Sequence, residues 1–136
     1  MKQRRQFIKK AGGLAALLAL GSTARARAGV AKEKEGSFLH VVFFWLVDDS
    51  EETHESFLKE LRTFINNVDL MKTKHIGTPA GTNREVIDSS WSYSLILSFD
   101  SKKEQDLYQE HQLHKNFIEN ASALWKKVQV YDSIKL

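Results

Sequence analysis

The side chains best suited to proton transfer or metal binding in this chain are five histidines and three tyrosines, because the sequence contains no cysteine. His111 and His114 lie three residues apart in a segment typical of a helix, and imidazoles at this spacing can share one metal ion. Asp106 and Glu110 supply carboxylates nearby, but there is no compact motif such as His-Glu-x-x-His. We therefore expect no metal, and no motif predicts a cofactor.

The surroundings of each histidine suggest its role. His40 interrupts an apolar run, which is typical of a buried histidine with satisfied hydrogen bonds, although a ligand could also face it. For His114, the residue pattern alone favours a core or cap histidine that is hydrogen-bonded to backbone where two helices meet. His54 falls on the polar side of a predicted helix and His75 in a polar strand, so we interpret both as surface residues.

Hydrophobic periodicity predicts the elements that position these side chains. Residues 39–47 are almost continuously apolar, β-branched and aromatic, which predicts a strand buried on both faces. Asp49 or Ser50 then caps a helix, and Glu52 stands three residues after Asp49, as a capping box requires. The apolar residues of this helix form one stripe, namely Phe57, Leu58, Leu61, Phe64, Ile65 and Val68.

The second half of the chain predicts two more strands, two short helices and a last strand. Residues 69–78 form a polar strand that ends in a turn, and residues 91–99 alternate strictly, with Trp91, Tyr93, Leu95, Leu97 and Phe99 on one face. Ser101 and Glu104 form a capping box before a helix to about residue 110, which is followed by a helix over 113–125 and a strand over 127–134. The order β-α-β-β-α-β predicts a ferredoxin-like α+β domain.

The first strand predicts an interface. Helices cover one face of such a sheet, yet the strand is apolar on both, with Leu39, Val41, Phe43 and Trp45 on one side and Val42, Phe44 and Leu46 on the other. An exposed apolar face of this kind marks an interaction surface, so we predict a homodimer whose two sheets face each other as a barrel. The alternative is that an irregular loop over residues 79–90 covers the sheet. We interpret the tryptophans Trp45, Trp91 and Trp125 as core or interface anchors.

The N-terminal segment has the features of an export signal. Arg4-Arg5-Gln6-Phe7-Ile8-Lys9 resembles the twin-arginine consensus, a moderately apolar stretch follows, and Ala24-Arg25-Ala26-Arg27-Ala28 resembles a cleavage region. The apolar stretch is too short to span a bilayer stably, so we expect export by the twin-arginine machinery, cleavage after Ala26 or Ala28, and a periplasmic or otherwise exported location. The alternative is an ordinary basic amphipathic N-terminus. We divide the chain into a signal over 1–28, a charged leader over 29–37 and one domain over 38–136.

Removal of the signal reverses the charge of the chain. The segment holds seven of the 20 basic residues and no acidic residue, which leaves 13 basic against 17 acidic residues, a formal charge of −4. A basic surface for nucleic acid is therefore not expected. With no cysteine in an oxidising compartment, stability must come from packing instead of disulfides.

Four segments between residues 38 and 135 together form a recognisable pattern. They are His40-Val41-Val42-Phe43, the turn at residues 77–80, the strand Tyr93 to Phe99 with Asp100-Ser101, and Tyr108-Gln109-Glu110-His111-Gln112-Leu113-His114 with Phe117. In these segments the chain resembles the stress-responsive A/B barrel, or Dabb, family. The last segment is similar to the family's tyrosine, then His-Pro-x-His, then phenylalanine signature, with Gln112 in place of the proline. This resemblance implies the same fold, a homodimer, and a barrel interior that can hold a small ligand.

One branch of the family resembles cyclases that act on linear polyketides. The resemblance implies that Tyr108 and His114 are an acid/base pair and that His40 is a cavity histidine, while Tyr93 stands where that branch has a further cavity histidine. A bend between two short helices would bring Tyr108 and His114 together. We also expect Phe44, Tyr93 and Trp91 to border the ligand.

Two functions follow as expectations. The first is an exported homodimer that binds a small, partly apolar ligand in its barrel, with no assigned reaction. The second is a cofactor-independent cyclase or lyase that acts on a small carbonyl or polyketide-like substrate, in which an imidazole removes a proton beside a carbonyl and a phenol stabilises the oxyanion. The second requires the Tyr108 hydroxyl and the His114 ring to face one cavity, and it fails if backbone groups cap them.

Overall fold

A computed structural model describes residues 37–136 of the chain. The signal over 1–28 and nearly all of the leader over 29–37 therefore lie outside the described residues. The predicted order of elements is confirmed, with a short 3-10 turn, Ser122–Leu124, before the last strand. The elements are β1 Phe38–Leu46, α1 Glu51–Asn66, β2 Thr73–Gly77, β3 Tyr93–Phe99, α2 Lys102–Glu110, α3 Gln112–Ala121 and β4 Trp125–Ile134.

The four strands form one antiparallel sheet in the order β2-β3-β1-β4, so the predicted ferredoxin-like α+β fold is confirmed. β1 is central and carries two different faces. Its even-numbered residues, Phe38, His40, Val42, Phe44 and Leu46, are buried beneath the helices. Its odd-numbered residues, Leu39, Val41, Phe43 and Trp45, lie on the opposite side, which we call the open face. None of the helices within residues 37–136 has the length and apolar character needed to cross a bilayer.

Helix α1 contributes the centre of the core. Ser50 is its N-cap, and the Ser50 side chain accepts a hydrogen bond from the Thr53 backbone N–H. Of the two predicted caps, Asp49 and Ser50, the second is therefore correct. The capping box of Asp49 with Glu52 does not form, because the helix begins one residue later than that box requires. The predicted stripe is confirmed, since Phe57, Leu61, Phe64, Ile65 and Val68 are buried and Leu58 packs partly buried against them.

Three predicted boundaries were wrong. β2 begins at Thr73, because the preceding residues lead from α1 to the sheet edge. β3 begins at Tyr93, and Trp91 instead turns to the open face, where its ring packs on Phe43 with centroids 5.0 Å apart. α3 ends at Ala121, so Trp125 opens β4 instead of closing a helix.

The loop over residues 78–92 covers part of the open face. The Trp45 indole N–H donates to the Ser90 hydroxyl at 3.0 Å, and the Ser92 backbone N–H donates to the Phe44 carbonyl at 2.8 Å. The predicted alternative of a covering loop thus holds for one end of the face. Leu39 and Tyr131, which share the face, remain 39% and 60% exposed.

Candidate functional site

Tyr108 and His114 come together because the chain breaks between α2 and α3. His111 has an extended backbone, with φ −63° and ψ 135°, and ends one helix while it caps the next. Its Nδ1 atom accepts a hydrogen bond from the Leu113 backbone N–H at 3.1 Å. The break brings the Tyr108 and His114 rings within 4.8 Å of each other, centroid to centroid.

Both side chains border one cavity of about 200 Å³ between the sheet and helices α2 and α3, which we call the helix-side cavity. Its lining is mostly apolar and includes His40, Phe44, Phe117, Trp125, Val128 and Val130. His40 borders this cavity from the helix-covered side of β1, so the cavity lies between the sheet and the helices and not between two facing sheets. The candidate site is therefore built within one protomer.

The Tyr108 ring is buried among aromatic side chains. The residue is 1% exposed and packs on Phe64 and Phe99, with ring centroids 5.5 Å and 5.2 Å away. Among residues 37–136, no side chain or backbone group forms a hydrogen bond with its hydroxyl. Burial raises the pKa of Tyr108, and the nearby Asp132 carboxylate adds to the effect. Tyr108 therefore stays neutral at physiological pH and can donate a hydrogen bond to a ligand oxygen.

His114 is held by one nitrogen and leaves the other for a ligand. Its Nδ1 atom lies 3.1 Å from the Gln109 carbonyl oxygen, and since a carbonyl only accepts, Nδ1 carries the proton. Nε2 then bears a lone pair, and within the described part of the chain nothing hydrogen-bonds to it. Burial lowers the pKa of His114. The hydrogen bond to the Gln109 carbonyl opposes this shift, and the charge interaction with His40 adds to it. The backbone bond predicted for His114 thus exists, but it occupies one nitrogen only.

His40 pairs with a carboxylate that the sequence did not single out. His40 Nδ1 donates to Asp132 Oδ1 at 2.6 Å, because the two residues stand opposite each other on β1 and β4. The His40 ring lies 5.7 Å from the Tyr108 ring, centroid to centroid. The sequence does contain one indication of Asp132: it is the polar residue that follows Val128 and Val130 at alternate positions, and therefore on the same face, of β4.

The other three residues expected to border a ligand, Phe44, Tyr93 and Trp91, do not lie at one site. Phe44 lines the helix-side cavity, whereas Tyr93 and Trp91 do not. The Tyr93 hydroxyl instead lies 2.8 Å from His54 Nδ1, and His54 Nε2 lies 2.8 Å from an Asp49 carboxylate oxygen. His54 is thus half-buried and links Tyr93 to Asp49, so its assignment as a plain surface residue was wrong.

His111 and His114, the pair considered for a metal site, each form a hydrogen bond with the backbone through Nδ1. His111 Nδ1 caps α3, and His114 Nδ1 donates to the Gln109 carbonyl. Across residues 37–136, the structure shows no group of three or more histidine, aspartate or glutamate side chains that could hold a metal ion.

Residues 38–135 match the family model described as the stress responsive A/B barrel domain. No curated protein sequence matches the chain significantly. Among solved structures, a Dabb family protein with a ferredoxin-like fold from Mesorhizobium loti is similar, with a TM-score of 0.63, 17% identity, and coverage of 74% of this chain and 98% of the other.

Two other solved structures carry names that bear on function or assembly. A hydroxynitrile lyase from Passiflora edulis superposes with a TM-score of 0.64 at 16% identity, over 75% of this chain and 95% of the lyase. A dimeric ferredoxin-like protein of unknown function from Thermobifida fusca superposes with a TM-score of 0.61 at 13% identity, over 74% of this chain and 92% of the other. At these identities the likeness shows the fold alone.

Proposed function

Because this chain belongs to the stress-responsive A/B barrel (Dabb) domain family, we propose that it is an exported protein that binds a small, largely apolar, carbonyl-containing compound in the helix-side cavity. The observation that carries the proposal is the convergence of Tyr108 and His114 on one mostly apolar cavity. A cavity with apolar walls and a few placed polar groups is the usual form of a small-molecule site.

The cavity sets limits on the ligand. Its volume of about 200 Å³ lies below the range of roughly 300–1,000 Å³ usual for drug-sized ligands, so the compound has few heavy atoms. The neutral Tyr108 hydroxyl can donate to a carbonyl oxygen, and the Nε2 lone pair of His114 can accept from a hydroxyl or an acidic C–H. The aromatic walls Phe44, Phe117 and Trp125 would hold an apolar tail.

A second candidate function, a cofactor-independent cyclase or lyase, is favoured by the protonation states of the pair. A neutral imidazole whose pKa is lowered by burial can remove a proton beside a carbonyl, and the neutral phenol can hydrogen-bond the oxyanion that forms. The proton passes to His114 Nε2, and the electron pair of the broken C–H bond moves to the carbonyl oxygen beside Tyr108. Asp132 would orient His40 as a third polar group at the same cavity. A lyase on this fold, named in Passiflora edulis, is consistent with such chemistry.

The assembly that we propose is a homodimer formed through the open face. Apolar residues of β1 and the exposed Tyr131 of β4 make this face suitable for a second copy, in an isologous contact. Dimeric ferredoxin-like proteins from Thermobifida fusca and two other sources share the fold. In this arrangement the two helix-side cavities lie on the outer sides of the paired sheets.

Export by the twin-arginine route is the remaining part of the proposal. The segment over residues 1–28 carries the paired Arg4 and Arg5. This route carries folded proteins, which suits a domain that assembles before it crosses. Replacement of both arginines by lysine should retain the protein in the cytoplasm of a bacterium that has this pathway, whereas unchanged export would contradict the assignment.

Native mass spectrometry of the purified protein tests binding of a ligand whose identity is still open. The full chain should carry a co-purifying small molecule that is released on denaturation and is lost from the variants Tyr108→Phe and His114→Ala. Retention of the same molecule by both variants would place it elsewhere, and an empty wild-type protein would count against the binding proposal.

The enzyme candidate has a separate test in which no natural substrate is needed. Cyclohexanone in deuterated buffer exchanges its α-hydrogens faster when a positioned base removes them, and NMR follows the exchange. We expect the wild-type protein to accelerate exchange and His114→Gln to reduce the acceleration by on the order of 100-fold. Equal exchange rates with the wild type and His114→Gln would contradict the enzyme candidate and leave ligand binding as the function of Tyr108 and His114.

A further inference from the structure

A second cavity, separate from the helix-side cavity, lies on the open face beneath the loop over residues 78–92. We call it the loop cavity, and its volume is about 310 Å³. Phe43 and Trp91 form an aromatic wall, and Ile96 on β3 is the apolar part of its floor. Its other lining residues include Pro79 and Ile87 from the loop and the polar residues His75, Ser94 and Asp88.

Hydrogen bonds hold the loop that forms this cavity. The Trp91 indole N–H donates to the Asp88 carbonyl at 2.8 Å, and the Ser90 backbone N–H donates to the Asp88 carboxylate at 2.9 Å. The Trp45 indole N–H donates to the Ser90 hydroxyl, which ties the loop to β1. The cavity is therefore formed before any ligand enters, and little ordering cost opposes binding.

Two polar atoms converge over Gly77 at the floor of the loop cavity. A Cβ atom built on Gly77 would lie 2.7 Å from His75 Nε2 and 2.9 Å from Ser94 Oγ, so the missing side chain leaves both atoms accessible at one point. Ser94 is only 4% exposed, yet its hydroxyl forms no hydrogen bond to any other residue of the described range. The His75 ring likewise forms no hydrogen bond within that range. Both polar side chains line the loop cavity, so their hydrogen-bonding atoms are available to a ligand there.

We infer that the loop cavity is a binding site for a small neutral phenol, whose ring packs against Trp91 and Phe43 and whose hydroxyl meets Ser94 and His75. A phenol hydroxyl both donates and accepts, which matches an imidazole nitrogen and a serine hydroxyl at one point. The aromatic wall favours a flat ring over a saturated one. The Asp88 carboxylate borders the same cavity and disfavours an anion such as a benzoate.

The site is independent of the Tyr108 pair, because it lies on the opposite face of the sheet and shares no lining residue with the helix-side cavity. It lies on the face proposed for dimer contact, so a second copy would close over it. A phenol held there would be enclosed between two protomers.

Fluorine NMR of 4-fluorophenol with the full chain tests the inference. We expect the wild-type protein to broaden the signal of 4-fluorophenol and to leave that of 4-fluorotoluene, which lacks the hydroxyl, much less affected. Gly77→Ala should abolish binding, since the new methyl group occupies the point where His75 and Ser94 converge. Ser94→Ala should weaken binding about tenfold through loss of one buried hydrogen bond.

Two control variants locate the binding. Ser98→Ala makes the same change on the same face of β3 but outside the cavity, and it should bind like the wild type. Tyr108→Phe alters only the helix-side cavity and should also bind like the wild type, which separates this inference from the proposed function. Absence of binding to the wild type, or equal binding by Ser94→Ala and the wild type, would overturn the inference even if Gly77→Ala failed to fold.

Discussion

The rings of Tyr108 and His114 lie 4.8 Å apart although six residues separate them in the chain. A continuous α-helix would place residues six apart on different sides, since neighbours on one face recur at three and four residues. The extended backbone of His111 removes this restriction, because it starts α3 in a new direction. The candidate site therefore depends on the break between the helices as much as on the two side chains.

Two buried tyrosines should respond differently to loss of their hydroxyl groups. Tyr93 donates to or accepts from His54 at 2.8 Å, whereas the Tyr108 hydroxyl has no such partner among residues 37–136. We expect Tyr93→Phe to lower the free energy of unfolding by about 1 kcal/mol, and Tyr108→Phe to leave it nearly unchanged. Urea unfolding of both variants measures this. A larger loss from Tyr108→Phe would show that its hydroxyl has a structural hydrogen bond.

Stability should depend on pH through His114. Burial lowers the pKa of His114 in the folded protein below its ordinary value of 6.5. Above pH 6.5 the residue is neutral in both states. As the pH falls below 6.5 towards the folded pKa, the unfolded chain takes up the proton first, so the free energy of unfolding decreases. Urea unfolding at about pH 7.5 and pH 5 should show a smaller decrease for His114→Gln than for the wild type, and an identical decrease would contradict the prediction.

The fold was predictable from local patterns, but the location of the site was not. Alternation in β3 and the stripe on α1 identify buried positions because each pattern depends on one element. β1 is apolar on both faces, so the residue types alone do not decide which face the helices cover or on which side of the sheet His40 lies. Trp91 extends the alternation of β3 but leaves the strand, since the neighbouring Ser92 bonds to the Phe44 carbonyl. The pairing of His40 with Asp132 depends on strand register, which the sequence does not show.

A proline at position 112 should stabilise the break between the helices. Gln112 is the first residue of α3, where a proline needs no backbone N–H, and His111 already has the extended conformation that a following proline favours. We expect Gln112→Pro to raise the free energy of unfolding by about 0.5 kcal/mol, because it restricts the unfolded chain. The exposed bond from Gln112 to Asn116 is lost in this variant, and Gln112→Ala is the control for that loss. A free energy of unfolding lower for Gln112→Pro than for Gln112→Ala would mean that the proline ring clashes at the helix start.

Two neighbouring lysines provide a matched test of helix capping. The Lys74 ammonium donates to the Ile65 and Val68 carbonyls at 2.7 Å and 2.9 Å, at the end of α1, whose last turn has no basic residue. Lys72 instead forms an exposed ion pair with Asp100. We expect Lys74→Met to lower the free energy of unfolding by about 1 kcal/mol, and Lys72→Met to lower it by clearly less because water screens an exposed ion pair. Thermal unfolding distinguishes them, and equal losses would contradict the capping role.

Two exposed leucines test the proposed dimer. Leu39 lies on the open face and is 39% exposed, while Leu107 lies on α2 and is 53% exposed. A carboxylate at position 39 would be buried without a partner between two apolar sheets, whereas one at position 107 would stay in water. We expect the wild-type protein and Leu107→Asp to have the mass of a dimer by light scattering, and Leu39→Asp to have the mass of a monomer.

Val41 extends this test to the centre of the open face, since it stands between Ile96 on β3 and Tyr131 on β4. Val41→Asp should stay a monomer even at higher protein concentrations, at which the otherwise monomeric Leu39→Asp begins to dimerise, because a charge costs more at the centre of an interface than at its rim. Circular dichroism establishes that the monomers keep their helices, so that loss of the dimer is not loss of the fold. If both variants remained dimers, the second copy would bind another surface, and the open face would serve the loop cavity alone.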